Sequence, residues 1–180
     1  MKRSKRGDTG ATVDWRRSWA VAVEAPQSAR AEDLRARLDE IAGGIPDSEA
    51  LEIEREMLEG LDALVELTAA IANGGPPAIP TGHRVVGGDR CHFSAPASLP
   101  DDPAQPSGTL LLTGTRMVFV GGARAVTVPW HSVAECVRQD RDVLLVRLDR
   151  PDVHRVRCNT FADALCAARL VRHFAPRRRL

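Results

Sequence analysis

The chain has 180 residues, of which 43% are hydrophobic and 27% are charged, and its formal net charge is +1. This length allows one ordinary domain with a smaller appendage, and the composition is typical of a globular protein whose core needs no disulfides. No apolar run approaches the roughly 18 residues that a membrane-spanning helix needs. No apolar segment of the kind found in secretory signals follows the basic N-terminus, so the sequence predicts a cytoplasmic protein.

Charge is unevenly distributed along the chain. Residues 28–73 carry twelve acids and four arginines, a net charge of −8, whereas residues 81–180 carry fifteen arginines and nine acids, a net charge of +6. The four cysteines form no Cys-x-x-Cys pair, and in a reducing compartment we expect them to be small buried hydrophobic residues. The sequence therefore predicts an acidic part followed by a basic part.

The N-terminal stretch, residues 1–27, is expected to be a basic, flexible tip with a tryptophan-rich segment. Residues 1–14 show no periodicity and are predicted to be disordered. Trp15, Trp19 and Val23 fit helical spacing, but the alternation after Trp19 also fits a strand, and the pattern does not decide between them. The two indoles either pack onto the body of the protein or lie on an anionic membrane surface.

An acidic helical hairpin is predicted over residues 28–73. Its first helix ends at Gly43, because glycine permits a left-handed cap. Its second helix, about 48–73 with a cap at Asp47 or Ser48, carries an apolar arc of roughly 200°, wider than the 100° or so that a one-sided helix needs. This helix should therefore contact two bodies: the first helix and either the C-terminal domain or another copy of the chain.

Residues 74–82 form a Gly/Pro linker, beyond which the apolar period changes from helical to alternating. Eight candidate strands follow, separated by turn residues. They are 83–86, 90–93 with an extension toward 99, 109–113, 116–120, 125–129, 133–138, 143–148 and 153–159. The pair Gly114-Thr115 joins two of the most apolar strands into a hairpin. Short strands at this spacing indicate an antiparallel barrel or sandwich.

An amphipathic helix ends the predicted domain, which spans residues 83–175. Thr160 and Asp163 have the spacing of a capping box, and an apolar stripe continues from there to Phe174. A barrel of so few strands has open ends, and we expect this helix to plug one of them. A basic tail, residues 176–180, follows.

The pattern Gly108-Thr-Leu-Leu-Leu-Thr113, then Arg116-Met-Val-Phe119, a glycine-rich turn, a strand into Pro129-Trp130 and a capped terminal helix resembles the GRAM branch of the pleckstrin-homology-like superfamily. The resemblance covers about residues 85–174. Its most specific positions are Gly108, Thr109, Thr113, Arg116 and Phe119. It implies an α+β fold: a PH-like bent antiparallel β-barrel of seven strands, capped by a C-terminal α-helix and preceded here by the N-terminal α-helical hairpin.

The resemblance also implies a binding module without enzymatic activity. Members of the superfamily bind phosphoinositides, other lipids, peptides or proteins, and phosphoinositide binders place basic residues in the loop after the first strand. Here that loop, residues 100–107, has two carboxylates and no basic residue, so it would repel a phosphate group. We therefore expect an adaptor that recognises a peptide or protein partner.

Three other hypotheses stay open. The first is a peripheral membrane module that binds anionic lipid through the PH-like domain and the Trp/Arg N-terminal segment. The second is homo-oligomerisation through the helical hairpin. The third is regulatory: the acidic hairpin lies over the basic domain and hides its binding site until a partner competes.

Five residues of the basic part are candidate binding residues: Arg116, Arg124, Trp130, Arg155 and Arg157. Arg155 and Arg157 alternate with apolar residues along their strand, which places both on the exterior of the sheet. Trp130 is either a core residue at the rim of the barrel or a contact point. Nucleic acid is not an expected partner, because no aromatic residues are interleaved among the bases.

No catalytic, cofactor or metal site is predicted. The sequence has no Gly-x-Ser-x-Gly, no P-loop and no Gly-x-Gly-x-x-Gly that opens a helix. Residue types that zinc prefers are present but lack ligand spacing. They are Cys91, His92, His131, His154, Cys158 and His173.

Overall fold

The structure, a computed structural model, describes residues 10–43, 51–121, 124–150 and 152–175. This part of the chain is α+β, with four α-helices and one seven-stranded antiparallel sheet. The helices are α1 Gly10–Glu24, α2 Ser28–Ala42, α3 Glu52–Gly74 and α4 Phe161–Phe174. The strands are β1 Cys91–Ser98, β2 Ser107–Thr113, β3 Arg116–Gly121, β4 Arg124–Pro129, β5 Val133–Gln139, β6 Asp142–Arg147 and β7 Val153–Cys158.

Helix α1 shows that the tryptophan-rich segment is helical, and it corrects the expectation for residues 10–14, which are helical and not disordered. Trp15 and Trp19 are buried. Their indole N–H groups donate to the backbone carbonyls of Leu34 at 2.8 Å and Met57 at 2.7 Å. The two tryptophans therefore tie α1 to α2 and α3, and the early start of the helix places them on that face. The rest of the expected tip lies outside the described residues.

Helices α2 and α3 form the predicted hairpin. Helix α2 begins at Ser28 and ends where Gly43 adopts the left-handed conformation with φ 62°, as the glycine predicted. The cap expected for the next helix at Asp47 or Ser48 lies outside the described residues. A salt bridge between Arg35 and Asp62 joins the two helices at their exposed side.

The wide apolar arc of α3 contacts two bodies, as predicted. Leu61 and Leu64 are buried in a core shared with α1 and α2. Leu67 and Ile71, one and two turns further on, pack against the core of the sheet. Ile53 was expected in the same arc but is 46% exposed, whereas Leu51, two residues earlier, is buried in the core shared with α1 and α2.

Helix α4 lies between the sheet and the helical layer. It begins with the predicted cap, in which the Thr160 hydroxyl oxygen accepts the N–H of Asp163 at 3.0 Å. Ala168 and Val171 belong to the sheet core, whereas Leu165 belongs to the core of the helical layer. One side of α4 therefore covers the inner face of the sheet, and its other side packs against the helical layer.

Helices α3 and α4 cross at Gly60. A Cβ atom at this position would lie 3.0 Å from Leu165 Cδ1 and 3.1 Å from the backbone nitrogen of Ala162. Because these separations are below ordinary van der Waals contact, the two helix backbones can approach this closely only over a glycine. One residue thus sets the distance between the helical layer and α4.

The sheet consists of two antiparallel meanders, β1 to β4 and β5 to β7. Its strand order is β4-β3-β2-β1-β7-β6-β5, so the first and last strands pair and join the meanders. In the described part, β4 and β5 are the free edges and the sheet is open between them. The inner face is filled by large side chains from both meanders and from α4, including Leu110, Phe119, Leu145 and Leu170.

Seven of the eight candidate strands are confirmed with small shifts at their ends. The candidate at 83–86 is wrong, since Arg84–Val86 forms a 3₁₀ turn closed by a hydrogen bond from Val86 N–H to the His83 carbonyl at 3.1 Å. Gly87, with φ 63°, then reverses the chain. The apolar pair in this turn signals one buried side chain, that of Val86, and not a paired strand.

Candidate functional site

The outer face of the first meander is covered by the chain that precedes β1. Leu111 and Val118 point away from the inner core but are fully buried. Val86 and Cys91 pack on them, with Ile79 at the rim of the same cluster. The linker and the 3₁₀ turn therefore form a lid of apolar residues on this half of the sheet.

Arg116 anchors this covering segment. Its Nη2 donates to the carbonyls of Val85 at 3.4 Å and Val86 at 3.2 Å and lies 3.5 Å from the Asp89 carboxylate. Asp89 also accepts the hydroxyl of Thr115 at 2.6 Å. The guanidinium is thus engaged with its own chain, and Arg116 has a structural role in the described molecule.

Trp130 is a core residue. It is buried, its indole N–H donates to the Thr113 carbonyl at 2.8 Å, and its ring stacks on Phe174 with centroids 6.1 Å apart. The Thr113 hydroxyl oxygen accepts the N–H groups of Thr115 at 3.2 Å and Arg116 at 3.1 Å, which closes the β2–β3 turn. The positions that carry the family resemblance around residue 113 therefore build the fold.

The outer face of the second meander has no such cover among the described residues. Its strand register places nine side chains on this face in three cross-strand rows. The rows are Gln139, Asp142 and Arg157; Val137, Leu144 and Arg155; and Glu135, Val146 and Val153. We call these nine residues the outer grid.

Four aliphatic side chains lie in the middle and at one end of the outer grid. Val137 is 40% exposed and Val153 is 46% exposed, while Leu144 and Val146 are half-buried. None of the four belongs to the buried clusters of the described chain. An antiparallel sheet normally presents polar residues to solvent, so this aliphatic patch is an exception.

The charged corner of the outer grid is internally neutralised. Asp142, with a side chain only 9% exposed, accepts from Nε of Arg155 and Nε of Arg157, each at 2.8 Å. The hydrogen bond from Arg157 is the main reason that the pKa of Asp142 lies below its usual value, and Arg155 adds to it while burial opposes it. Asp101, from the loop after β1, lies 3.6 Å from Arg155.

A cavity of about 870 Å³ adjoins the outer grid at this corner. Leu144, Arg155 and Arg157 form one wall, and Ile53 and Phe161, at the starts of α3 and α4, form the other. Arg141 forms a salt bridge with Glu56 and places its guanidinium over the Phe161 ring, 5.1 Å from the centroid. The cavity beside the outer grid is therefore lined by apolar side chains and by ion-paired arginines.

The structure separates the five predicted binding residues. Arg155 and Arg157 lie together on the outer grid, as their alternation predicted, whereas Arg116 and Trp130 are bound within the fold. Arg124 begins β4 opposite Gly121, and its side chain lies outside the described part. The aliphatic residues of the outer grid were missed by sequence reasoning. Their signal was the unbroken apolar run 143–146, which is typical of a strand with two apolar faces.

The acidic hairpin does lie on the basic domain, but through an apolar core. Trp19, Leu61 and Leu165 are buried in one cluster at this junction. Glu56 of α3 also accepts the Phe161 N–H at 3.0 Å. Detaching the helices would expose this core to water, so the geometry supports a fixed layer and gives no support to a releasable cover.

Two absences concern the described residues only. No helix among them is long and apolar enough to cross a membrane. No three His, Cys, Asp or Glu side chains among them lie close enough to share a metal ion. Trp15 and Trp19, which the membrane hypothesis places at a lipid surface, are both buried.

Comparisons with known proteins name no relative of this chain. No family model matches it, and no curated protein matches it. Among solved structures, it is similar to the crystal structure of the C-terminal domain of an unknown protein from Leishmania infantum, with a TM-score of 0.44 and 11% identity. That match covers 51% of this chain and 90% of the other chain.

Proposed function

We propose that this protein is a non-enzymatic adaptor module that binds a protein or peptide partner on the outer grid. The observation that carries the proposal is the contrast between the two outer faces of one sheet. The first is covered by the chain itself, whereas on the second no described segment covers Val137, Leu144, Val146 and Val153. Exposed aliphatic patches with polar rims are typical of surfaces that bind another protein.

The partner that fits is a protein segment with apolar side chains for the centre of the grid. An anionic lipid surface fits poorly, because the middle of the patch is aliphatic and Glu135 at its end carries negative charge. Arg155 and Arg157 are already held by Asp142. Their charge contributes specificity at the rim and little net attraction for anions.

The topology supports a finer proposal for the fold, a GRAM-like member of the pleckstrin-homology-like superfamily. Seven antiparallel strands in two meanders, joined through β1 and β7 and closed on the inner face by α4, fit what the resemblance implies. In this proposal the sheet is the bent barrel and its opening lies between β4 and β5. Non-enzymatic binding is the function that such a fold implies.

The test is quantitative capture with the full chain and a double variant, Val137→Ser with Val153→Ser. We expect the proteins retained by the wild type to be lost by the double variant, because two aliphatic contacts at the centre of an interface are replaced by hydroxyls. Val21→Ser is the matched control, since Val21 is 62% exposed on α1, away from the sheet. It should retain the same proteins as the wild type.

The partner identified in this way is then titrated against the double variant and against Val21→Ser. Equal retention of every protein by the wild type and the double variant would refute binding at the outer grid. Flotation with anionic vesicles, lost with the double variant and weakened by salt, would favour the membrane hypothesis instead.

A further inference from the structure

A second cleft is lined by arginines that differ from those of the outer grid in their lack of salt bridges to described residues. It lies between the α1–α2 connection, α3, α4 and β5, and has a volume of about 310 Å³. Arg138, Arg169 and Arg172 line it, and none of them forms a salt bridge with a described residue. Glu24 is the one carboxylate among the lining residues that the structure describes, which leaves a local net charge of +2.

Two of these arginines are held in place by neutral groups. Arg138 donates to the Asp140 carbonyl at 2.8 Å, and its guanidinium lies 5.3 Å from the centroid of the Trp19 ring. Arg172 donates weakly to the Cys136 carbonyl at 3.5 Å. Carbonyls and a ring orient these two guanidinium groups without a salt bridge to a described carboxylate, so most of their N–H groups stay available for an anion.

The interior of the cleft has two further marks of a binding site. Thr68 lines it, and its hydroxyl oxygen is buried without a hydrogen-bond partner. Burial lowers the pKa of Arg138, an effect to which Arg172 adds and which Asp140 and Glu24 oppose. A half-buried cation and an unsatisfied hydroxyl both cost free energy that a bound anion would offset.

We propose that this cleft binds the phosphate group of a small phosphomonoester that has an apolar body. A phosphomonoester carries about −1.5 to −2 charges at pH 7 and has three acceptor oxygens, which match three guanidinium groups and a net charge of +2. A carboxylate offers one charge and two oxygens. The apolar body would lie on the walls of the cleft, formed by Val23, Leu64, Leu165 and Ala168. The volume is at the small end of ligand sites, which begin at about 300 Å³.

The experiment is isothermal titration of the full chain with phenyl phosphate and with inorganic phosphate. We expect one saturable site for phenyl phosphate, weaker binding of inorganic phosphate, and loss of affinity as salt is raised. Arg169→Gln should weaken phenyl phosphate about tenfold, because it removes one of three charge-assisted contacts. Arg169 has no hydrogen bond to a described residue, so this variant should keep the fold, which thermal unfolding checks.

Arg17→Gln is the matched control, since it removes the same charge from an exposed arginine of α1 that pairs with Asp14. It should change the affinity by less than about twofold. Absence of saturable phenyl phosphate binding would overturn the proposal, as would equal losses in Arg169→Gln and Arg17→Gln.

Vesicles that contain phosphatidic acid distinguish the source of the phosphate. Binding of phenyl phosphate without flotation on these vesicles supports a soluble ligand. Flotation that phenyl phosphate competes away and Arg169→Gln weakens supports a lipid headgroup in the same cleft. Flotation that Arg169→Gln leaves unchanged counts against the cleft as the phosphate site.

Discussion

The two meanders of the sheet differ in what covers their outer faces. On the first, Leu111 and Val118 are sealed by the chain before β1, which Arg116 holds down. On the second, the chain after β7 passes through Thr160 into α4 on the inner face, and no segment among the described residues covers the outer grid. Equivalent aliphatic residues are therefore core in one half of the molecule and surface in the other.

The largest expected effect is a difference in lost stability between leucine-to-alanine changes on the covered outer face and on the outer grid. Leu111→Ala should destabilise the protein by about 2–5 kcal/mol, because it opens a cavity under the covering segment. Leu144→Ala removes the same atoms from the outer grid and should cost about 1 kcal/mol or less. Urea unfolding followed by circular dichroism measures both. Equal losses would mean that the outer grid is as well packed as the covered face.

The next effect tests the anchor of the covered face. Arg116→Gln should cost about 1–3 kcal/mol, because it leaves the carbonyls of Val85 and Val86 without their donor. It should also speed hydrogen exchange in residues 84–90 while exchange in the outer grid is unchanged. Arg17→Gln, at an exposed salt bridge, should show neither change. Uniformly faster exchange would show that Arg116 does not act on the covering segment in particular.

The third expected effect is the pH dependence of the stability that Asp142 contributes in the outer grid. The pKa of Asp142 is lowered chiefly by its hydrogen bond from Arg157, so its stabilisation is present above the unfolded-state pKa of about 3.9 and is lost as pH falls through the folded value. Asp142→Asn should therefore cost about 1–2 kcal/mol at pH 7 and less at pH 3. Urea unfolding at the two pH values measures the difference. A cost that does not shrink at pH 3 would contradict the ionic origin.

The smallest effect concerns the exposed valines. Val153→Ser should change the free energy of unfolding by no more than about 0.5 kcal/mol, since half of the side chain is already in water. The paired change on the covered face, Val118→Ser, should cost several times more because it buries an unpartnered hydroxyl. If both cost the same, a partner or a second copy covers Val153 in solution.

Local chemistry made much of this fold predictable. The Gly43 cap, the Thr160 cap and seven strands are set by a few neighbouring residues each, and the structure confirms them. Gly108 differs from these positions, since a Cβ atom there would overlap the carbonyl oxygen of Val120 on the adjacent strand. The sequence marked Gly108 only as part of the family pattern, because its constraint depends on how the strands pair.

What covers an apolar face was not predictable, because burial depends on distant parts of the chain. The run 143–146 indicates two apolar faces, yet only the register and the position of α4 show that no described segment covers one of them. Likewise, the partners of Arg116 are 30 residues earlier in the chain, so it was classed with the exposed arginines. Side-chain type did not predict the role of Arg116, and it left Trp130 as either a core residue or a contact point.

The crossing at Gly60 has a consequence for synthesis. Helices α1 to α3 emerge from the ribosome before the sheet and before α4, on whose back they rest. The part of their core that packs on α4, including the contact of Trp19 with Phe161, is therefore completed only after the sheet has been made. Non-local closure of this kind slows folding and prolongs the exposure of apolar surface.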